Sequence, residues 1–431
     1  MNSRRLFVTI SLCAGCAAQS QLASGPSPAS PPASAPSAPT STAAAPAAPA
    51  PSNAAAPPAP PPPPVQVLPF DEALTKATEA LFSKAQISAR PPPFELVIDP
   101  LIDGVTGEQS NATSTMGDRI ASLVRTKYSN YTLVPFSRQS VARSPIVLIG
   151  TFTAVNRDGK TVGPREAYRI CLVLIDLRSG RVVGKAWSRA QMTGIDTSPK
   201  AFFRDSPTWS QDPTVDGYVK TCQATKVGDP IDQVYLDHIL VSALVGEAVD
   251  AYNARNYKKA LQIYTEAQRI PGGADELRVL NGLYLTNYKL GRKDAASLQF
   301  GRIVDHGLAS KQLSVKFLFK VGSTAFLRDP AVSGPYASWL RRIAERSAAS
   351  KNCLEISGHT SPTGPEPLNL RLSQLRAEAI QEKLTSIERS LDKHTIAVGM
   401  GSRENLVGTG RDDDSDALDR RVAFKVIDCR T

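Results

Sequence analysis

The stretch that decides the fold reads Leu354-Glu-Ile-Ser-Gly358-His-Thr-Ser-Pro-Thr-Gly364, followed by Asn369, Leu372-Ser373 and Arg376-Ala377. The apolar positions at Leu354 and Ile356 predict a strand, and the Pro/Gly-rich run beyond Gly358 predicts its exit into a loop. Asn369–Ile387 then predicts an amphipathic helix with Leu372, Leu375, Ala379 and Leu384 turned inward. Working outward, Val315, Phe317 and Phe319 alternate as a strand, and Pro335–Ala349 reads as a helix. Thr395–Met400 and Arg421–Ile427 supply two further strands, so residues 311–431 are expected to form one domain.

With Arg420-Arg421-Val422 added, this pattern resembles the OmpA-like peptidoglycan-binding domain. The resemblance implies a βαβαβ-type layer whose pocket receives the diaminopimelate of the peptidoglycan stem peptide. It assigns the contacts to Thr360, Ser361, Thr363, Glu366, Asn369, Arg376 and Arg421. A zwitterionic ligand needs a carboxylate for its ammonium and a guanidinium fork for its carboxylate, and Arg376 matches the family arginine. Ser361, however, stands where the family has aspartate, and a hydroxyl does not neutralise an ammonium. Two readings follow. In one, Glu366 on the same loop replaces the missing charge; in the other, the domain is a scaffold in which Asn369 caps a helix and Arg376 pairs with a carboxylate such as Glu366.

Upstream, Glu247–Leu308 resembles about two tetratricopeptide repeats, with Ala248, Tyr252, Tyr257, Ala260, Tyr264 and Ala267 in the first. Tyr284, Tyr288, Ala296 and Phe300 belong to the second. Two repeats are fewer than stand alone, so residues 246–310 are expected to lean on their neighbours or to form a plain helical spacer. Residues 67–245 predict a mixed α/β domain. Asp71 is placed to cap a helix, Phe94–Pro100 and Tyr131–Phe136 read as strands, and Thr113–Tyr128 as a helix. The near-continuous apolar runs Ile146–Gly150 and Tyr168–Ile175 read as strands buried on both faces, and Arg181–Arg189 as the return strand of a hairpin. This order faintly resembles the accessory lipoproteins of the curli-secretion, flagellar and penicillin-binding-protein-activator group. The fold class is therefore α+β multidomain.

The N-terminus pairs Arg4-Arg5 with a short apolar run, as a secretory signal over residues 1–15 does. Leu12-Cys-Ala-Gly-Cys16 resembles a bacterial lipobox, which implies lipidation of Cys16 and, with Ala17 following, sorting to the outer membrane. Ser3-Arg-Arg-Leu-Phe7 also resembles a twin-arginine signal, so the export route stays open. Of the 34 prolines, 16 fall between Pro26 and Pro64 among Ala, Ser and Thr. Residues 16–66 thus read as a lipidated cysteine and a disordered tether, with a reach on the order of 120 Å in polyproline II. Cys171, Cys222, Cys353 and Cys429 remain for an oxidising compartment. Proximity along the chain suggests Cys171–Cys222 and Cys353–Cys429 pairs, with buried free thiols as the alternative.

Lys+Arg total 50 against Asp+Glu 40, and the excess is spread along the chain rather than gathered into the basic patch that nucleic acid binding needs. His238, His306, His359 and His394 are scattered without metal-ligand spacing, and Asp412-Asp-Asp414 reads as a solvated loop, so no metal and no cofactor is expected. No nucleophile elbow or phosphate loop is present, which argues against an enzyme. The sequence therefore predicts a lipid-anchored outer-membrane protein facing the periplasm that binds peptidoglycan non-covalently and presents residues 67–310 to an envelope protein partner. The alternative is an accessory factor for a secretion, flagellar or wall-synthesis machine whose OmpA-like domain no longer binds peptidoglycan.

Overall fold

In the computed structural model, residues 66–87, 91–209, 212–350 and 352–429 are described. The signal segment, Cys16 and the Pro/Ala-rich stretch up to Val65 lie outside the described residues.

The chain enters through β1 (Val67–Leu68) and α1 (Phe70–Ser83), whose Ala73, Leu74, Ala77, Leu81 and Phe82 share one buried face. Helical geometry begins at Phe70, so Asp71 is not the cap. It sits inside the first turn, where the positive end of the helix dipole favours a carboxylate, and it pairs with Arg119. After β2 (Phe94–Ile98), α2 (Asn111–Lys127) opens with a capping box: Thr113 N–H donates to Ser110 Oγ at 3.3 Å, and Ser110 N–H donates to Thr113 Oγ1 at 2.9 Å. Then come β3 (Tyr131–Leu133), α3 (Arg138–Val141) and three ten-residue strands, β4 (Ile146–Val155), β5 (Ala167–Asp176) and β6 (Arg181–Ala190).

The sheet order is β1-β6-β5-β4-β2-β3, with β4, β5 and β6 antiparallel and the other pairings parallel. Side-chain alternation divides the apolar runs between two cores. Ile146, Leu148, Ile170 and Leu172 face the side of α1 and α2, while Val147, Ile149, Cys171 and Val173 face the opposite side. That second face is covered by α5 (Pro213–Ala224) and α6 (Gln233–Asp237), which follow the short α4 (Ala201–Asp205).

Two helical hairpins follow, α7 (Ile239–Asn253) with α8 (Tyr257–Ala267), and α9 (Leu277–Lys289) with α10 (Lys293–Ala309). Gly282 lets α9 lie against the Tyr264 ring, because a Cβ there would stand 2.3 Å from ring carbons. Next are β7 (Phe317–Leu318), α11 (Pro330–Ser333) and α12 (Tyr336–Ser350). They lead to β8 (Cys353–Gly358), α13 (Glu366–Ile387), β9 (Thr395–Gly399) and β10 (Arg421–Ile427). The second sheet runs β7-β10-β8-β9, with α13 as the crossover between parallel β8 and β9 and with β10 antiparallel to its neighbours. Phe300 stacks on Trp339 of α12 at 5.3 Å, and Trp339 Nε1 donates to Tyr284 at 2.7 Å. One apolar core therefore continues from the hairpins into the second sheet.

α13 differs from expectation in its start and in its inward face. It begins at Glu366, one turn before Asn369, and buries Asn369, Ser373, Arg376, Ala377, Ile380 and Leu384, leaving Leu375 exposed. The cause is tight packing on the sheet. A Cβ at Gly358 would stand 1.9 Å from the Ser373 carbonyl oxygen, so at this contact the small Ser373 and Ala377, not Leu372 or Leu375, face the strands. Cys353 and Cys429 are disulfide-bonded, whereas Cys171 and Cys222 are both buried free thiols, the Cys171 Sγ donating to the Cys222 carbonyl at 2.8 Å. The Cys171–Cys222 pair is thus not oxidised; the two thiols are neighbours, and Cys171 also bonds the backbone. Among the described residues no helix is long and apolar enough to cross a membrane.

Candidate functional site

The loop leaving β8 is tied on both sides. His359 N–H donates to the Arg421 carbonyl and Thr360 N–H to the Gly401 carbonyl, each at 2.9 Å, and Asn405 Nδ2 donates to the Thr360 carbonyl at 2.7 Å. This brings the loop beside the long β9–β10 connection. There Ser361 Oγ donates to Asp412 Oδ1, and Arg420 Nη1 lies 3.6 Å from the same oxygen. Asp412 adopts φ 57°, a left-handed conformation uncommon for a residue with a Cβ. Its side chain is 22% exposed, whereas that of Arg420 is 4% exposed. Arg420 Nη2 donates to the Asp413 carbonyl at 2.9 Å, but Nε and Nη1 have no hydrogen-bond partner.

Two fully buried acids hold this connection in shape. Asp419 accepts from the N–H groups of Leu406, Val407 and Gly408 at 2.6–3.0 Å, and burial raises its pKa to about 6. Asp416 accepts from Thr409 Oγ1 and from Arg411 N–H. Arg411 in turn donates to the carbonyls of Met192 and Ile195, so the Asp412 loop is fastened to the N-terminal part of the molecule.

Arg376 does not present a free fork. It is buried, and its three nitrogens donate to the carbonyls of Ser323, His359 and Lys320 at 2.8–2.9 Å, with the guanidinium over Phe319 at 5.2 Å. Burial, with Arg420 adding to it, pushes its pKa down to about 10. Glu366 accepts from Ser402 Oγ at 2.5 Å, with Arg403 at 3.7 Å. Glu366, in the first turn of α13, thus engages the start of the β9–β10 connection and does not pair with Arg376.

Asn369 lies within the helix and donates to the Thr363 carbonyl at 3.2 Å, so it is no cap, while Thr363 itself is exposed. Thr360 Oγ1 is buried without a hydrogen-bond partner. Arg421 faces elsewhere: it donates to the carbonyls of Glu404 and Leu418 and stacks on Trp209 at 5.3 Å. His359 is buried, and desolvation beside Arg421 holds its pKa well below the usual range, which keeps the ring neutral. The structure thus gathers Thr360, Ser361 and Arg376 around one loop and adds Asp412 and Arg420, which the sequence reading names without assigning them to the site. The signal was present in Asp412-Asp-Asp414, but an acidic run in a Gly-rich stretch is ordinarily solvated.

Residues 318–418 match the OmpA family, and the C-terminal part of the chain is an OmpA family domain. Similar solved structures include the peptidoglycan-associated lipoprotein from Burkholderia pseudomallei, 25% identical over 26% of this chain and 89% of that one, with a TM-score of 0.23. The cell wall anchor of the T6SS from Pseudomonas aeruginosa is 21% identical over 30% of this chain and 96% of that one, with a TM-score of 0.22. E. coli LpoB is 18% identical over 38% of this chain and 90% of that one, with a TM-score of 0.19. No curated protein matches the chain.

Proposed function

We propose that this chain is a non-enzymatic, peptidoglycan-binding protein of the cell envelope, and that Asp412 supplies the carboxylate for the ammonium of the stem peptide's diaminopimelate. The observation that carries this reading is the Asp412 carboxylate set against Ser361 within an OmpA family domain. Asp412 is the more exposed member of its pair with Arg420, so a ligand ammonium reaches it from solvent. Arg420, 4% exposed and 3.6 Å from Asp412 Oδ1, backs that carboxylate from the protein side and holds it ionised for the ligand's ammonium. Arg376 acts as a positioning residue that clamps the 320–323 turn and the β8 exit.

On this reading Cys16 carries the lipid, residues 16–66 form the tether from the outer membrane into the periplasm, and residues 67–310 engage an envelope protein partner. The test is a pull-down with purified sacculi: the full chain is expected to co-sediment, and Asp412→Asn to lose most of that binding. Equal retention of the two proteins contradicts the proposed contact.

The full engagement of Arg376 by backbone carbonyls favours a second reading, an accessory factor whose OmpA domain is structural. It predicts that the wild-type chain stays out of the sacculus pellet, while deletion within residues 67–310 abolishes partner capture.

A further inference from the structure

A cleft of about 500 Å³ lies where four stretches of chain meet: the segments around Glu108 and around Arg204, the 316–332 segment, and the turn at 414–418. Two of its charges are paired with each other. Lys316, nearly fully buried, donates to Glu108 Oε1 at 3.2 Å and to the Phe203 carbonyl at 2.9 Å, so these two charges cancel inside the protein. Asp329 is occupied at the start of α11, where it accepts from Ala331 N–H at 2.9 Å. Arg204 is shared with Asp205, which also receives Lys289 and Tyr252.

The rim differs. Among the described residues, neither Lys320 nor Arg328 has a carboxylate within ion-pair distance. Desolvation and the neighbouring Arg328 lower the pKa of Lys320, as a second cation nearby does. The adjoining wall is apolar, made by Leu318, Leu327, Val332 and Leu418. A concave, largely apolar wall with a few convergent charges, at this volume, is the ordinary form of a small-ligand site.

We propose that this cleft binds a small organic acid, its carboxylate between Lys320 and Arg328 and its apolar body against Leu318, Leu327, Val332 and Leu418. The two uncompensated cations select for an anion; the leucine and valine wall selects for one with an apolar body. A peptide C-terminus and a short fatty acid share this chemistry. The site uses none of the side chains assigned to peptidoglycan.

Calorimetry on the full chain tests it with N-acetylvaline and octanoate as the two acids, and with N-acetylvaline methyl ester and inorganic phosphate as comparisons. At least one acid binds, and which one identifies the source. The ester and phosphate bind at least about tenfold more weakly, the loss expected when a charge-assisted bond or the apolar contact is missing. The Lys320→Ala/Arg328→Ala pair loses about tenfold or more, whereas Lys383→Ala on the exposed face of α13 leaves the affinity unchanged. Binding of neither acid, equal binding of acid and ester, tighter binding of phosphate, or an unaltered affinity in the double variant overturns the proposal.

Discussion

Ser361 and Asp412, 51 residues apart in sequence, meet in one hydrogen bond in which the serine hydroxyl donates to the Asp412 carboxylate. A negative charge therefore stands beside position 361 although residue 361 carries none. The charge arrives from the β9–β10 connection, whose course is set by the buried carboxylates of Asp416 and Asp419.

Restoring an aspartate at 361 is consequently expected to harm rather than help. Ser361→Asp places two carboxylates in contact, and like charges at that range disfavour each other's ionised form. Sacculus binding by Ser361→Asp is predicted to be no stronger than wild type, while the exchange Ser361→Asp/Asp412→Ser recovers what Asp412→Ser loses. Stronger binding by the single Ser361→Asp variant would show that Asp412 does not occupy the role.

Arg376 is predicted to matter chiefly for stability. Arg376→Ala takes the guanidinium donor from the carbonyls of Ser323, His359 and Lys320, of which His359 is buried and Lys320 keeps the Ser323 N–H, at about 3 kcal/mol. Arg376→Lys rescues little, because one compact ammonium does not span three carbonyls as the planar fork does. Urea unfolding of both variants measures this, and a midpoint equal to wild type for either would contradict the clamp.

A pH dependence follows from Asp99, which accepts from Tyr235 OH at 2.6 Å and whose pKa burial raises from 3.8 to about 7, against the opposing Tyr235 bond and Arg278. Between those two values the native state holds a proton that the unfolded chain has released. Asp99 therefore makes stability fall as pH rises through that window and level off above it. Asp99→Asn keeps an acceptor for Tyr235 and removes the titration, so its unfolding midpoint is predicted to decline less between pH 4 and 7 than wild type. Parallel profiles would remove Asp99 as a source.

The cysteines give a chemical count. Alkylation of the unfolded, unreduced chain is predicted to label Cys171 and Cys222 and to spare Cys353 and Cys429. Closing a 76-residue separation stabilises by about 4 kcal/mol on chain-entropy grounds, so Cys353→Ser/Cys429→Ser is expected to lose up to that amount. Labelling of all four would contradict the bridge.

Much of the architecture was legible because it follows from periodicity. The two-sided strands at Ile146–Val155 and Ala167–Asp176 and the turn at Asp176–Gly180 are written in apolar runs and turn residues. The inward face of α13 was not, since a helix packed on Gly358 and Gly399 buries Ser373 and Ala377 in preference to larger leucines. The site was half legible: the loop and Arg376 stand out, but the partners of Arg376 are backbone carbonyls, which no side-chain pattern announces. Asp412 was hidden for a different reason, because its meeting with Ser361 depends on how a long connection folds back, and spacing along the chain carries no record of that.

The most direct test of the central claim is calorimetric titration of the full chain and its Asp412→Asn variant with a diaminopimelate-type muropeptide. The account predicts measurable binding by the wild type and a loss of about tenfold or more in the variant, the worth of one charge-assisted bond. Equal affinity in the two proteins, or no binding by the wild type, would contradict it.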